Sequence, residues 1–304
     1  MVTLALSFHS LELKGACSIE STVNVHLMKD GKNALLFDTG YNETESLRAL
    51  TEWIGTQQVT VRGILVTHAH PDHAGGLLAL AERFLCNVYI HPLERQYLEK
   101  KYGLLRERFA AISWKNMAEG DTIHLCEHHI ETVETPGHTH GHLAWYEPTT
   151  KTLVAGDNAT SAGTVWIGPP DGHLADFYES LTRLDTLHAK VILPGHGKPI
   201  LEAPSFFMTM LKRREARSAQ ILHHLNCKAQ SAQELTDVLY GASLPSQHMW
   251  VALATVRAHL SHLLEQSRVV CTYDTKKKTL MYRAVSEESL QNEESHRDSP
   301  PAPA

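Results

Sequence analysis

The chain has 304 residues, of which 42% are hydrophobic and 20% charged, a composition typical of a globular protein of about two domains. The formal net charge is −6, and residues 286–304 contribute −4 of it, so the rest of the chain is nearly neutral and a generally basic nucleic-acid-binding protein is disfavoured. No apolar run reaches the length of about 18 residues that a transmembrane helix requires, so no membrane span is expected.

Apolar, partly β-branched runs alternate with helical periodicities through the first two thirds of the chain. The predicted strands cover residues 23–27, 34–38, 63–67, 87–90, 130–135, 152–156 and 190–194. The predicted helices cover residues 46–55, 77–84, 93–108 and 176–188. Strands and helices mixed in this way predict one α/β domain over residues 1–204.

The pattern becomes mainly helical after this domain. The predicted elements are helices over residues 205–226, 231–240 and 245–266 and a hairpin of residues 268–273 and 279–283. Ser231 and Glu234 form a capping box at the start of the second helix. Three helices followed by a hairpin are the order of a winged helix, so residues 205–284 are predicted to form a small winged-helix-like domain. Residues 285–304 are acidic and rich in Ser and Pro, and a disordered tail is predicted there.

The cysteines and the N-terminal residues indicate in which cellular compartment the protein is expected. Five cysteines are scattered along the chain without a C-x-x-C pair, which favours reduced thiols in a reducing compartment. Residues 1–15 have no basic segment ahead of an apolar stretch, so no secretory signal is expected. We therefore expect a cytoplasmic protein.

Histidine is unusually abundant, with 21 residues against 18 glycines. One segment, directly after the predicted strand that ends at Thr67, holds four side chains able to bind a metal: His68, His70, Asp72 and His73. A strand cannot direct them all to one point, because its side chains alternate between two faces, whereas a loop that leaves the strand can. Imidazole and carboxylate together suit zinc, and also iron or manganese.

Three later positions repeat this setting, in which a polar residue follows an apolar strand beside Gly or Pro. They are His138, Asp157 and His196. A single histidine in such a chain is more often a surface or core residue than a ligand, so none of these positions would be persuasive alone. Together with the earlier segment they supply seven candidate ligands, enough for two ions that share one carboxylate.

The same residues carry a family resemblance. The segment His68-Ala69-His70-Pro71-Asp72-His73 resembles the H-x-H-x-D-H signature of the metallo-β-lactamase superfamily. The later motifs of that superfamily are similar to Thr135-Pro136-Gly137-His138-Thr139, Ala155-Gly156-Asp157 and Pro194-Gly195-His196-Gly197, and its early D-T-G strand end is similar to Asp38-Thr39-Gly40. The resemblance implies a four-layer αββα sandwich.

The resemblance also implies roles for these residues. One metal would be held by His68, His70 and His138, the other by Asp72, His73 and His196, and Asp157 would bridge the two. Asp38 would orient a ligand histidine by a hydrogen bond, although a plain turn residue is an alternative. Two such ions generate a bridging hydroxide at neutral pH, which Asp72 and Asp157 would orient as the catalytic carboxylates.

The substrate is left open by these motifs, since one fold serves many reactions. The near-neutral charge and the lack of an inserted nuclease domain favour a small acyl substrate, a thioester or a lactone. Residues 205–284 resemble the small helical domain of the β-lactamase-like protein 2 group, which includes an endoribonuclease, so cleavage of single-stranded RNA is the alternative. A DNA-binding regulatory protein that uses this domain is a third possibility.

A basic cluster on the first helix of the second domain could contact substrate. Arg213, Arg214 and Arg217 could hold a phosphate or a carboxylate, and a solvated helix face is the alternative. The helical second domain could also support a homodimer.

Overall fold

The structure is a computed structural model, and it describes residues 6–15, 22–101, 103–161, 163–201, 204–241, 244–245 and 248–285. The predicted tail lies outside the described residues except for Val285. Within these ranges, no helix combines the length and the apolar content needed to cross a lipid bilayer.

Six strands form the first sheet, in the order β1-β2-β3-β4-β5-β6. They are Ser7–Lys14 (β1), Thr22–Asp30 (β2), Asn33–Phe37 (β3), Thr60–Leu65 (β4), Asn87–Ile90 (β5) and Trp114–Asn116 (β6). The first three strands pair antiparallel, and β3 to β6 pair parallel. The middle of β2 is buried without alternation, as expected for a strand covered on both faces.

Six further strands form the second sheet, in the order β12-β11-β10-β9-β8-β7. They are Thr122–Leu125 (β7), His128–Glu134 (β8), Leu143–Glu147 (β9), Thr152–Thr160 (β10), Val191–His196 (β11) and Ile200–Leu201 (β12). Neighbouring strands pair antiparallel except β10 and β11, which are parallel.

The helices that accompany these sheets lie on their outer faces. The helices of this part of the chain are Thr44–Thr56 (α1), Pro71–Ala74 (α2), Leu77–Phe84 (α3), Pro92–Lys101 (α4), Arg106–Ala110 (α5) and Leu174–Thr186 (α6). Leu50 of α1, Leu80 of α3 and Leu98 of α4 are buried in one cluster with Val25 and Ile64 of the first sheet. The inward face of α6 is likewise buried, and this helix packs against β10 of the second sheet.

A separate core fills the space between the two sheets. Phe37 and Leu65 of the first sheet form one buried cluster with Trp145, Val154 and Leu193 of the second. Burial of such side chains contributes roughly 1.5–3 kcal/mol each, so this layer is a main source of stability. With helices outside both sheets, the predicted α/β sandwich is confirmed.

Some element bounds differ from the sequence prediction. The helix predicted over residues 93–108 is interrupted by a 3₁₀ turn at Gly103–Leu105, because glycine costs about 1 kcal/mol within a helix. The prediction also missed β1, β6, β7, β9 and β12. Two of these, β6 and β12, have only three and two residues, too few to show a period.

The chain divides into two compact units. One comprises residues 1–165 and 171–209, and the other residues 166–170 and 210–304. The later elements are Phe206–Cys227 (α7), Ala232–Tyr240 (α8), Met249–Glu265 (α9), Val269–Asp274 (β13) and Thr279–Ala284 (β14). In the second unit Leu225, Leu235, Val256 and Leu260 form a core of their own. The winged-helix assignment and the division at residue 204 stay predictions.

Candidate metal centre

The first sheet delivers four of the candidate ligands from one strand end. β4 ends at Leu65, and His68 and His70 lie in the loop that follows. Pro71 then starts α2, a single turn that carries Asp72 and His73. Proline is favoured at this first helical position because it has no N–H to leave unpaired. This helical turn therefore brings Asp72 and His73 close to His68 and His70.

The second sheet delivers the other three ligands. His138 follows β8, and His196 is the last residue of β11. Asp157 does not follow its strand, as the sequence suggested, but lies inside β10 at a register shift beside Gly156. Gly156 has φ +51, and a Cβ there would lie 2.7 Å from His142 Nε2, so this bulge requires glycine. Beyond the bulge, β10 continues to Thr160, whereas the apolar pattern of the sequence predicted a strand over residues 152–156 only.

Three histidine nitrogens meet in the first group of the centre. His68 Nε2 lies 3.0 Å from His70 Nδ1, and His138 Nε2 lies 3.3 Å from the former and 3.0 Å from the latter. His68 and His138 are buried. Such mutual distances are those of nitrogens that can share one metal ion.

A second group forms beside the first. Asp157 Oδ1 lies 3.2 Å from His73 Nε2 and 3.3 Å from His196 Nε2. Asp72 Oδ2 lies 3.7 and 3.5 Å from the same two nitrogens. The other oxygen of Asp157, Oδ2, lies 3.4 Å from His138 Nε2 in the first group. One carboxylate thus faces both groups.

The chemistry of these donors fits a metal ion. His73 Nε2 and Asp157 Oδ1 are buried, and among the described residues neither has a hydrogen-bond partner of suitable geometry. Leaving a buried polar group unsatisfied costs about 1–3 kcal/mol, and a shared cation would remove that cost. The clusters of histidine and aspartate are therefore suited to binding a divalent metal ion.

Hydrogen bonds behind the ligands fix how the rings face. Asp38 Oδ2 accepts from His73 Nδ1 at 2.7 Å and from Thr67 Oγ1 at 2.8 Å, and its Oδ1 accepts from the Thr67 N–H at 2.8 Å. His196 Nδ1 donates to the Thr22 carbonyl at 2.7 Å. Both rings therefore turn Nε2 toward the centre, as a metal ligand requires.

Burial and the neighbouring charges shift the pKa values of the histidines of the centre in opposite directions. Burial lowers the pKa of His68 well below its usual value, and the neighbouring histidines lower it further. Burial also acts to lower the pKa of His73, but the carboxylates of Asp157, Asp72 and Asp38 outweigh it and raise that pKa well above its usual value. Burial acts to raise the pKa of Asp157, and His196 and His73 outweigh it, so the carboxylate stays ionised.

Three residues near the centre were not among the predicted ligands. His142 is buried, stacks on His68 and accepts the Asp157 N–H at Nε2, 3.2 Å away. Asp171 Oδ2 lies 3.9 Å from His70 Nε2, after a segment rich in Gly and Pro. Glu94 accepts two backbone N–H groups from the ligand loops. No sequence motif marks Glu94, since a glutamate on a polar helix is ordinarily exposed.

The arginine cluster is not one exposed surface. Arg213 is exposed, whereas Arg214 is only 6% exposed. Arg217 lies over the ring of Tyr240, with its guanidinium carbon 4.4 Å from the ring centroid. The role of Arg213, Arg214 and Arg217 in substrate binding stays a prediction.

Known proteins are similar to this chain in structure or in sequence. A metallo-β-lactamase family protein of Thermus thermophilus has a TM-score of 0.74 at 23% identity, covering 91% of this chain and 98% of that one. A β-lactamase-like protein 2 homologue of Caenorhabditis elegans is 26% identical over 257 residues, which are 84% of this chain and 82% of that protein. An atrochrysone carboxyl ACP thioesterase of Aspergillus fumigatus is 25% identical over 247 residues, 76% of this chain. The chain spans only 53% of the length of that thioesterase.

The family model described as the metallo-β-lactamase superfamily matches residues 19–196, more than half of the chain. The match covers every residue of the two clusters. The chain therefore belongs to the metallo-β-lactamase superfamily and is a metal-dependent hydrolase.

Proposed function

We propose that the protein is a dinuclear metal hydrolase that acts on small acyl substrates, thioesters or lactones. The proposal of two metal ions rests on the position of Asp157, whose two carboxylate oxygens face two separate groups of imidazole nitrogens. In this proposal the first ion is held by His68, His70 and His138, the second by Asp72, His73 and His196, and Asp157 joins both. Five histidines and two aspartates favour Zn²⁺, while Fe and Mn are also compatible with these donors.

When bound, the two ions would supply water activated at neutral pH and polarise the oxygen of the scissile group. The protein's own contribution is orientation. Asp72 is the more exposed of the two carboxylates, with 23% of its side chain exposed, and in this proposal it would accept a hydrogen bond from the attacking water. Asp157 stays ionised at neutral pH because His196 and His73 lower its pKa, so it would offer a second acceptor.

The acyl class rests on the relatives and on charge. The fungal relative is named a thioesterase, although this chain spans about half of its length. Outside the tail the chain is nearly neutral, which suits a small acyl substrate better than a polyanion.

Thiol release from an acyl thioester tests the proposal. Purified protein loaded with Zn²⁺ is expected to release thiol, and His138→Ala is expected to reduce the rate at least 100-fold because a ligand of the first ion is lost. His140→Ala is the matched control, since His140 is an exposed histidine on the same loop outside the clusters, and it is expected to retain the wild-type rate.

Wild-type protein that binds metal but neither releases thiol nor opens a lactone would contradict the acyl proposal. Cleavage of a labelled single-stranded RNA would then be the next assay. The observation that keeps RNA as second candidate is the exposed, basic tip of the β13–β14 hairpin, with Lys276 and Lys278. Lys277 at this tip is already paired with Glu234 at 2.9 Å. Binding of duplex DNA by the second unit stays a third proposal, for which sequence-specific binding without metal would be the evidence.

A further inference from the structure

A buried glutamate connects the two loops that carry the three-histidine group. Glu94 lies in the first turn of α4 and is only 5% exposed. Its Oε2 accepts the backbone N–H of Ala69 at 2.7 Å, and its Oε1 accepts the backbone N–H of Gly141 at 3.0 Å. Both oxygens of one buried carboxylate are therefore used on backbone groups.

The two N–H groups belong to different parts of the fold. Ala69 lies between His68 and His70, in the loop after β4 of the first sheet. Gly141 lies three residues after His138, in the loop after β8 of the second sheet. Glu94 thus links the two backbone segments that present all three nitrogens of the group.

The space around Gly141 is too small for a side chain, which lets its backbone N–H reach Glu94. A Cβ at this position would lie 2.5 Å from His91 Nδ1 and 3.0 Å from Glu94 Cγ, so only glycine lets this backbone approach the carboxylate so closely. A carboxylate is needed as well, because two N–H donors require two acceptor oxygens. The amide of glutamine has one oxygen, and its NH₂ group would face one of the two N–H groups.

We propose that Glu94 is a positioning residue that fixes the distance between the His68–His70 loop and His138, and so sets the affinity of the three-histidine group for its metal ion. This inference rests on the metal assignment of the proposed function. It predicts that weakening the link impairs mainly one of the two metal-binding steps, because His73 and His196 of the other group are held separately, by Asp38 and by the Thr22 carbonyl.

The test is Glu94→Gln in the full chain, with Zn²⁺ affinity measured by competition with a chromophoric chelator. One of the two binding steps is expected to weaken 10- to 100-fold, the range observed when groups behind metal ligands are changed. The visible spectrum of the Co²⁺-loaded variant should change too, since it reports the geometry of the ligands.

Glu147→Gln is the matched control. Glu147 is fully buried and also accepts two backbone N–H groups, from Thr149 at 3.0 Å and Thr150 at 2.7 Å, but these lie in the turn after β9. Both metal-binding steps and the Co²⁺ spectrum of this variant should match those of the wild type. An equal loss in both variants would show a general effect of the substitution and would overturn the inference.

The remaining outcomes are decisive as well. Wild-type binding of two ions with unchanged affinity and spectrum in Glu94→Gln would overturn the inference and leave the proposed function intact. Wild-type protein without metal binding would overturn both. If Glu94→Gln does not fold, Gly141→Ala tests the same link from its other end, since the added Cβ must push the loop from Glu94, and weakening of the same step is expected.

Discussion

At the residue scale, the centre depends on which ring nitrogen each histidine turns inward. His73 and His196 turn Nε2 to the centre because Asp38 and the Thr22 carbonyl occupy their Nδ1 atoms. His70 instead presents Nδ1, which lies 3.0 Å from His138 Nε2, while its Nε2 is directed toward Asp171. The carboxylate behind His73 and the carbonyl behind His196 therefore determine which ring nitrogen is available to an ion.

Asp38→Asn is expected to lower metal affinity 10- to 100-fold, since the amide removes one of the acceptors that serve His73 and Thr67. Asn suits the test because Asp38 has φ +61, a left-handed conformation that Asn tolerates, so the backbone should be retained. Metal content after dialysis against a chelator gives the measurement.

Asp176→Asn is the control for this substitution. Asp176 also pairs with a histidine, His173 Nδ1 at 2.9 Å, but in a half-exposed pair outside the two clusters. Equal metal retention in wild type, Asp38→Asn and Asp176→Asn would show that the hydrogen bond from His73 to Asp38 does not contribute to metal affinity.

Most of the residues that the structure brings together could be predicted from the sequence, because they lie at or near the end of an apolar run with Gly or Pro nearby. His138 and His196 became candidates only together with the segment from His68 to His73, because a single histidine is more often a surface or core residue than a ligand. Glu94 and Asp171 could not be found in this way, because their role depends on which loops the folded chain brings beside them. A hydrogen bond between residues 47 positions apart, as between Glu94 and Gly141, leaves no local signal.

At the scale of elements, the sequence predicts a helix or strand best where its hydrophobic periodicity or its capping motif is strong. The capping box at α8 is present as expected, with the Glu234 N–H donating to Ser231 Oγ at 3.1 Å and the Ser231 N–H donating to Glu234 Oε2 at 2.8 Å. The long strand β10 was predicted too short, because the bulge at Gly156 breaks the apolar run while the pairing continues to Thr160. Propensity identifies such strands, but tertiary pairing sets their ends.

The cap makes a quantitative prediction for the second unit. Ser231→Ala should lower the free energy of unfolding by about 1 kcal/mol, because the N–H of Glu234 loses its acceptor. Urea denaturation followed by circular dichroism measures this change. Ser261→Ala, at an exposed interior position of α9, should change it by no more than about 0.5 kcal/mol, since alanine is the better helix former there. Equal effects of the two substitutions would show that the capping bond contributes nothing.

At the scale of the whole molecule, the two units differ in how they use buried histidines. The first unit gathers them around the proposed metal ions. The second unit holds His259 fully buried, with Ser218 Oγ 2.9 Å from its Nδ1. Burial lowers the pKa of His259 to about 3, and the charges of Arg214 and Arg217 add to this effect. His259 is therefore neutral in the folded protein across the physiological range.

This histidine should make the second unit sensitive to acid. Below pH 6.5 the unfolded chain binds a proton at His259 that the folded unit does not bind, so stability falls as the pH falls from about 6.5 toward 3. Between pH 7 and pH 5 the loss from this one group should be about 2 kcal/mol. Hydrogen exchange of α9 amides at the two pH values measures this loss of stability, after correction for the intrinsic exchange rates.

His259→Gln should remove this part of the pH dependence, while His223→Gln, on the exposed surface of α7, controls for the loss of a histidine from the same unit. An unchanged pH dependence in His259→Gln would show that this histidine is not the source of the acid sensitivity.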